Sequence, residues 1–302
     1  MCFFSCLEVS SKLYDRLWGG IVLRKNKSVW LVLLAVLLIV FCGVRLYRVQ
    51  AAQKNYINSN VPTLFFHGWG SSYRAERQMA NYAKNKGVTN TIIRADVSAK
   101  GEVELIGNIK KNARNPIVEV NYQDNKNANY NEDAKWMKNV VVALQKKYGI
   151  KKFNVVGHSM GNMSIMFYLL NYGGDKNLPQ IQKQVDIAGH FNGILGMDDK
   201  LGESKLDKNG KPNVFRQSYK KLLAIRDNYP KNQIDVLNIY GDVGDKSDGR
   251  VSNNSSKSLK YLLNSREKSY QELKISGKYG QHSKLHESKE VDKALVSFLW
   301  AK

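Results

Sequence analysis

Ser159 lies in the pentapeptide GHSMG (157–161), which fits the pattern G-x-S-x-G. That pattern is typical of a serine on a sharp turn between a strand and a helix, where the hydroxyl is available for nucleophilic attack. A five-residue match also occurs by chance, so the flanking segments decide its meaning. KKFNVV (151–156) is typical of a short strand, and NMSIMFYLLNYGG (162–174) is typical of an apolar helix that ends at glycine. The flanks therefore favour a nucleophilic serine.

A nucleophilic serine needs a base that removes its proton and a third group that orients the base. In hydrolases with this turn the acid and then the histidine follow the serine in the chain, which leaves His282 and His286 as candidate bases. Both precede the expected terminal helix, within 281–300. The leucine three residues after His282 and the valine nine residues after it resemble the catalytic-histidine loop of small bacterial lipases, which favours His282. His67 is interpreted as support for its own loop, and His158 as packing beside the serine turn.

The acid is expected in the loop DVGDKSDGRVSNNSS, which follows the predicted strand 233–241. Asp242, Asp245 and Asp248 are the candidates. The spacing of Asp248 to Val251 resembles the D-x-x-V of many acid loops, so Asp248 is favoured and the other two are interpreted as turn formers. The aspartate spacing does not fit a calcium loop, and DKNG (207–210) lacks the other ligands of one, so no metal is predicted.

An acyl-transfer site also requires two N–H donors for the oxyanion. One is expected to be the backbone N–H of Met160, directly after the serine. The other is expected from HGWG (67–70), where the backbone N–H of Trp69 lies between two glycines. The chemistry that these residues predict needs no cofactor.

The elements around this site alternate between strand and helix, which indicates an α/β layer fold with a mostly parallel central sheet and helices on both faces. Further predicted strands are 61–68, 90–97, 116–122 and 270–277, and further predicted helices are 76–87 and 131–149. The polar stretch between two strand candidates, about 193–230, is expected to form a small cap over the site. The whole catalytic domain is predicted to span 61–302.

The N-terminus has the pattern of a membrane-targeting segment. A tail (1–28) precedes sixteen residues without a charge, VWLVLLAVLLIVFCGV (29–44), and a linker (45–60) follows. Basic residues flank the apolar run, which favours an uncleaved transmembrane signal-anchor. A cleaved signal peptide is the alternative, because VQA (49–51) has the small-x-small form of a cleavage site. The expected location is the cell membrane with the catalytic domain outside, or alternatively secretion.

The positions of the cysteines and the net charge limit the cross-links and binding partners that are expected. All three cysteines lie at or before Cys42, so no disulfide framework is possible in the catalytic domain. The net charge is +21, of which the first 56 residues contribute +6 from eight basic and two acidic side chains. The remaining lysines are dispersed without a zinc-finger or RNA-binding signature, so no nucleic-acid partner is predicted. Attraction to anionic cell-wall polymers is a hypothesis that the charge allows.

Taken together, HGWGSS, GHSMGN, IAGHFNG, SDGRVSNNSS and QHSKLHE resemble the membrane-anchored or secreted α/β-hydrolases of Gram-positive bacteria, often described as cell-surface hydrolases. The resemblance runs from about Pro62 to the C-terminus, and Ser252 departs from it where many relatives have proline. It implies an α/β-hydrolase fold and a triad of Ser159, Asp248 and His282 that cleaves carboxylic esters in small molecules or lipids. Two alternatives remain open: acyl transfer by the same triad, and an inactive binding protein on the same fold.

Overall fold

The computed structural model describes residues 27–53 and 55–302. The chain divides into two compact units, with the boundary along the sequence between Arg48 and Val49. Helix α1 begins at Lys27 and continues past this boundary to Gln53, with exposed apolar side chains from Trp30 to Val44. The predicted tail falls almost wholly outside the described residues, and part of the predicted linker is helical. The transmembrane prediction for 29–44 is not supported, because no helix within the described residues is both long and apolar enough to cross a membrane.

The second unit is built on one eight-stranded sheet. Its strands are β1 (Thr63–Phe66), β2 (Ile92–Val97), β3 (Val103–Ile106), β4 (Ile117–Tyr122), β5 (Lys152–His158), β6 (Gln180–Ile187), β7 (Asp235–Asp242) and β8 (Ser269–Ser276). Their spatial order is β3-β2-β4-β1-β5-β6-β7-β8. The β2–β3 pair is antiparallel and the other pairs are parallel. The carboxyl ends of seven strands therefore lie along one edge, which is where α/β sheets bind ligands.

Helices cover both faces of this sheet. They are α2 (Arg77–Asn85), α3 (Tyr130–Tyr148), α4 (Met160–Tyr172), α5 (Gln217–Leu222), α6 (Ile225–Asn228), α7 (Asn253–Lys257), α8 (Leu259–Leu263) and α9 (Lys289–Trp300). Side chains of α2 and α9 join one buried apolar cluster, and those of α3 and α4 join the other. Because both faces are covered, the central strand β1 is buried at all four positions, as is typical of parallel sheets.

The predicted fold class is confirmed: the sheet is mostly parallel, and helices flank it in the expected alternation. Two strands were not predicted. Strand β3 is a short edge strand, and β6 carries Gln184 and Asp186 in the middle of the sheet, where Gln184 Nε2 donates to both carboxylate oxygens of Asp186. Helix α3 begins at Tyr130, one residue before the predicted start at 131, because the side chain of Asn129 caps it by accepting from the Asn131 N–H.

The predicted cap corresponds to an excursion between β6 and β7. It contains α5, α6 and isolated bridges between Leu195 and Asp199 and between Leu206 and Pro212. The Arg216 guanidinium lies 2.9 Å from the buried Asp199 carboxylate. The other oxygen of Asp199 accepts from the Ser252 hydroxyl at 2.7 Å, so the excursion is fastened to the loop after β7.

Candidate active site

Ser159 occupies a sharp turn between β5 and α4. Its backbone has φ 52° and ψ −117°, a conformation that costs free energy for any residue other than glycine. The Ser159 N–H donates to the carbonyl of Ile187 at 2.9 Å. The amide of Asn162 donates to the same carbonyl at 2.8 Å and to the Ser159 carbonyl at 3.1 Å. These bonds hold the strained turn in place.

Glycines on each side of the serine allow this close packing. A methyl group at Gly161 would overlap the carbonyl oxygen of Phe66 on β1, so α4 can approach the strand only without a side chain there. A methyl group at Gly157 would collide with Asn162. The G-x-S-x-G pattern is thus explained by two steric requirements.

His282 lies between the serine and an acid. Its Nε2 is 3.0 Å from the Ser159 hydroxyl, and its Nδ1 is 2.8 Å from Asp248 Oδ2. The arrangement allows the Ser159 hydroxyl to donate to Nε2 while Nδ1–H donates to the carboxylate. The structure therefore brings together the three residues that the sequence analysis favoured. His282 is 123 positions from Ser159 and 34 positions from Asp248 in the chain.

Asp248 is held by the backbone of its own loop. Its Oδ1 accepts from the N–H of Arg250 at 2.8 Å and of Val251 at 2.7 Å, which leaves Oδ2 for the histidine. The Asp248 carbonyl also accepts from the His282 N–H at 2.9 Å. The side chain is almost fully buried, so these amides supply the stabilisation that solvent would give an exposed carboxylate.

The other two aspartates of this loop, Asp242 and Asp245, accept hydrogen bonds from groups of the loop itself. Asp242 Oδ1 accepts from the N–H of Gly244, and this bond is the main cause of a lowered pKa for the Asp242 carboxyl. Asp245 accepts from both the N–H and the hydroxyl of Ser247. Ser252, which stands where many relatives have proline, caps α7 by accepting from the Ser255 N–H at 3.2 Å.

His158 and His286 lie beside the candidate base. The His158 ring is 5.2 Å from the His282 ring and 4.8 Å from the His286 ring, between centroids. His158 Nε2 donates to the backbone carbonyl of His282 at 3.1 Å. Burial, reinforced by the nearby charge of His282, holds the pKa of His158 well below its usual value. A neutral His158 therefore fastens the His282 loop, a contact that its sequence position did not reveal.

His67 supports the loop after β1, as predicted. Its Nε2 accepts from the N–H of Tyr122 at 3.1 Å, so Nδ1 carries the proton and donates to the Gly68 carbonyl at 2.8 Å. Burial lowers the pKa of His67, which favours this neutral tautomer. His67 follows β1 directly, and its two ring hydrogen bonds hold the start of this loop against β4.

The same loop passes directly beside the nucleophile. A Cβ at Gly68 would lie 3.2 Å from the Cβ of Ser159, so the backbone leading to Trp69 passes beside the Ser159 side chain. No hydrogen bond to another described residue uses the N–H of Trp69 or of Met160. Met160 is the first residue of α4, where a helix leaves its amides unpaired and favours negative charge.

Within residues 27–53 and 55–302, no cluster of three or more His, Cys, Asp or Glu side chains is arranged to hold a metal ion.

A mostly parallel sheet of eight strands, with a serine on a strained turn after its central β5, defines the class of this protein as an α/β hydrolase. Residues 50–302 match the family described as "Alpha/beta hydrolase of unknown function (DUF915)", and the chain belongs to that family. A search of functionally curated proteins finds no match.

Two solved structures are similar over most of the chain. The lin2722 product of Listeria innocua is 24% identical, with a TM-score of 0.72 over 80% of this chain and 94% of that one. The "putative cell surface hydrolase" of Lactobacillus plantarum is 22% identical, with a TM-score of 0.64 over 79% of this chain and 89% of that one. At these identities the likeness concerns the fold.

Proposed function

We propose that the protein is a serine hydrolase that cleaves carboxylic esters through an acyl-enzyme. The observation that carries the proposal is the line of hydrogen bonds from Ser159 Oγ to His282 Nε2 at 3.0 Å and from His282 Nδ1 to Asp248 Oδ2 at 2.8 Å. A serine, a histidine and an aspartate in this geometry can activate the hydroxyl and stabilise the imidazolium that forms.

In the first half-reaction, Ser159 Oγ attacks the ester carbonyl while His282 Nε2 takes the hydroxyl proton. The tetrahedral intermediate collapses, the bond to the alkoxy oxygen breaks, and His282 returns the proton to the leaving alcohol. Water then attacks the acyl-enzyme with His282 again as the base, which releases the acid and regenerates the serine. Asp248 keeps Nδ1 protonated throughout and stabilises the positive charge of the ring.

The backbone N–H groups of Trp69 and Met160 are the proposed donors to the oxyanion. Met160 follows Ser159 directly at the start of α4, and Gly68, the residue before Trp69, lies beside the Ser159 side chain. Neither N–H has a hydrogen-bond partner among the described residues. One donor of this kind contributes about 3 kcal/mol of transition-state stabilisation. Because the donors are backbone groups, side-chain substitution at Trp69 leaves this contribution in place.

The test is turnover of p-nitrophenyl esters of increasing acyl length by the full chain and by Ser159→Ala. We expect the wild type to be active and the variant to lose about 10⁴-fold or more in kcat, because the nucleophile is absent. A fluorophosphonate probe should label the wild type at Ser159 only. Equal activity in both proteins, or labelling at another residue, would contradict the proposal.

The proposed place of action is the cell exterior. The basic-flanked apolar run at 29–44 and the cell-surface description of the Lactobacillus relative support this location. Fractionation of cells that express the tagged protein tests it, with protease added to intact cells. Protection of the catalytic domain from the protease would overturn it.

A further inference from the structure

The side chain of His158, directly before Ser159, is buried among groups of the candidate active site. Its ring contacts two other histidine rings, with centroids 5.2 Å from that of His282 and 4.8 Å from that of His286. The His286 ring meets it at an interplanar angle of 78°, and burial lowers the pKa of both His158 and His286. Neutral rings pack in this way as aromatic side chains do, so His286 restrains the orientation of the His158 ring.

One contact of His158 reaches the main chain of the candidate base. His158 Nε2–H donates to the backbone carbonyl of His282 at 3.1 Å. The backbone N–H of His282 donates to the Asp248 carbonyl at 2.9 Å. The loop after β7 therefore holds His282 at its amide, and the serine turn holds it at its carbonyl. Together these two hydrogen bonds fix the backbone position from which the His282 ring reaches Ser159.

The same ring borders the loop that carries a proposed oxyanion donor. A Cβ added at Gly68 would lie 3.3 Å from His158 Nδ1 and 3.2 Å from the Ser159 Cβ. The Gly68 carbonyl belongs to the same peptide group as the Trp69 N–H, and it accepts from His67 Nδ1 at 2.8 Å. His67 thus holds this peptide group by a hydrogen bond, while the His158 ring limits how closely the Gly68 backbone can approach the serine turn.

Resting on the proposed ester hydrolysis, we infer that His158 is a positioning residue that fixes the base and the oxyanion loop relative to each other. It transfers no proton in the reaction. Its Nε2–H acts through the backbone of His282, and its ring acts through the backbone of Gly68. A displacement of about 1 Å in a group that takes part in the reaction can cost about 10²-fold in rate. The His158 side chain therefore contributes to kcat although it lies outside the triad.

The test compares three substitutions at His158 in the full chain. His158→Met has no donor for the His282 carbonyl, so we expect kcat on p-nitrophenyl acetate to fall about 10²-fold while KM stays within about twofold. His158→Gln places an amide nitrogen near the position of Nε2 and should keep kcat within about fivefold of the wild type. His158→Asn carries the same amide on a shorter side chain that does not reach the carbonyl, and it should lose as much as His158→Met.

Asn154→Met is the matched control for the loss of a buried hydrogen bond on β5. Asn154 lies four residues before His158, and its side-chain amide donates to the Thr63 hydroxyl at 3.3 Å. Urea denaturation should show a similar loss of stability in Asn154→Met and His158→Met, but Asn154→Met should keep the kcat of the wild type. If His158→Met does not fold, the comparison of His158→Gln with His158→Asn decides.

Proton NMR provides a measurement that needs no substrate. The Nδ1–H of His282, bonded to the Asp248 carboxylate, should give a resonance far downfield in the wild type, in His158→Gln and in Asn154→Met. The resonance should be lost in His158→Asn and His158→Met, because the ring is no longer held. Equal kcat in His158→Gln and His158→Asn, or a downfield resonance that persists in His158→Asn, overturns the positioning role. Turnover that Ser159→Ala fails to abolish overturns ester hydrolysis and leaves the NMR result standing, so the two failures are distinguishable.

Discussion

The proposed role of Asp248 depends on a single oxygen atom. Oδ1 is occupied by two backbone N–H groups, and only Oδ2 faces His282 Nδ1. In Asp248→Asn the amide oxygen can still accept the backbone bonds, which places the NH₂ group against the ring. Nδ1 would then have to accept a hydrogen bond from this NH₂ group, so the ring proton would move to Nε2. A His282 ring that carries its proton on Nε2 could no longer take the proton of the Ser159 hydroxyl. We expect kcat on p-nitrophenyl acetate to fall by about 10³-fold or more with the fold intact.

Asp245→Asn is the matched control for that substitution. Asp245 belongs to the same loop, but its carboxylate binds Ser247 and does not contact the histidine. Its variant should keep activity within about twofold, because the turn can be formed by asparagine as well. Comparable losses in both variants would show that the loop matters only for its shape.

Between elements, the critical contact is the approach of α4 to β1. Gly161→Ala places a methyl group against the Phe66 carbonyl oxygen, and backbone atoms cannot move aside as a flexible side chain can. The helix must shift, and with it Ser159 and the Met160 amide. We expect the variant to lose about 1–3 kcal/mol or more in free energy of unfolding, measured by urea denaturation. The surviving folded protein should lose about 10²-fold in kcat.

Gly174→Ala tests whether any added methyl near this helix has the same effect. Gly174 lies just beyond the other end of α4, where an added Cβ meets nothing within 4 Å. Stability and activity should both remain close to the wild type. If Gly161→Ala keeps the stability and activity that are expected of Gly174→Ala, then close packing against Phe66 does not explain why position 161 is glycine.

For the whole molecule, the buried carboxyl of Glu76 should make stability depend on pH. Glu76 is 1% exposed, and neither of its carboxyl oxygens has a hydrogen-bond partner among the described residues. Burial, followed by the nearby charge of Glu119, raises its pKa from 4.5 to about 8. The Arg77 guanidinium next to this pair lies 3.5 Å from the Glu119 carboxylate.

The sign of the effect follows from the raised pKa. Above pH 4.5 the unfolded chain has lost this proton while the folded protein keeps it, so stability falls as pH rises to about 8. Glu76→Gln should therefore be more stable than the wild type there, by a margin that grows about 1.4 kcal/mol per pH unit.

Chemical denaturation at several pH values measures that margin. Glu104→Gln, at an exposed position of β3, serves as the control and should leave the pH dependence unchanged. A constant difference between Glu76→Gln and the wild type from pH 5 to 8 would mean that Glu76 does not keep its proton on folding.

Local patterns were sufficient to predict the α/β class and the serine turn. A strand, two glycines around a serine and an apolar helix are signals of neighbouring residues, and each has a steric cause that acts within a few positions. Strand β6 was not predicted because Gln184 and Asp186 interrupt its apolar pattern. Their burial is compensated by a bond to each other and by the Tyr229 hydroxyl, which contacts Gln184 from 45 positions away.

Only the tertiary structure decided which late histidine and which loop aspartate meet the serine. His282 and His286 are four residues apart, and the sequence favoured the first by resemblance. The fold directs the first ring to Ser159 and packs the second against His158. The buried carboxyl of Glu76 is likewise a product of packing between segments distant in the chain, since burial is a property of the folded molecule. Short-range sequence therefore determined the chemistry available, and long-range packing determined which groups can carry it out.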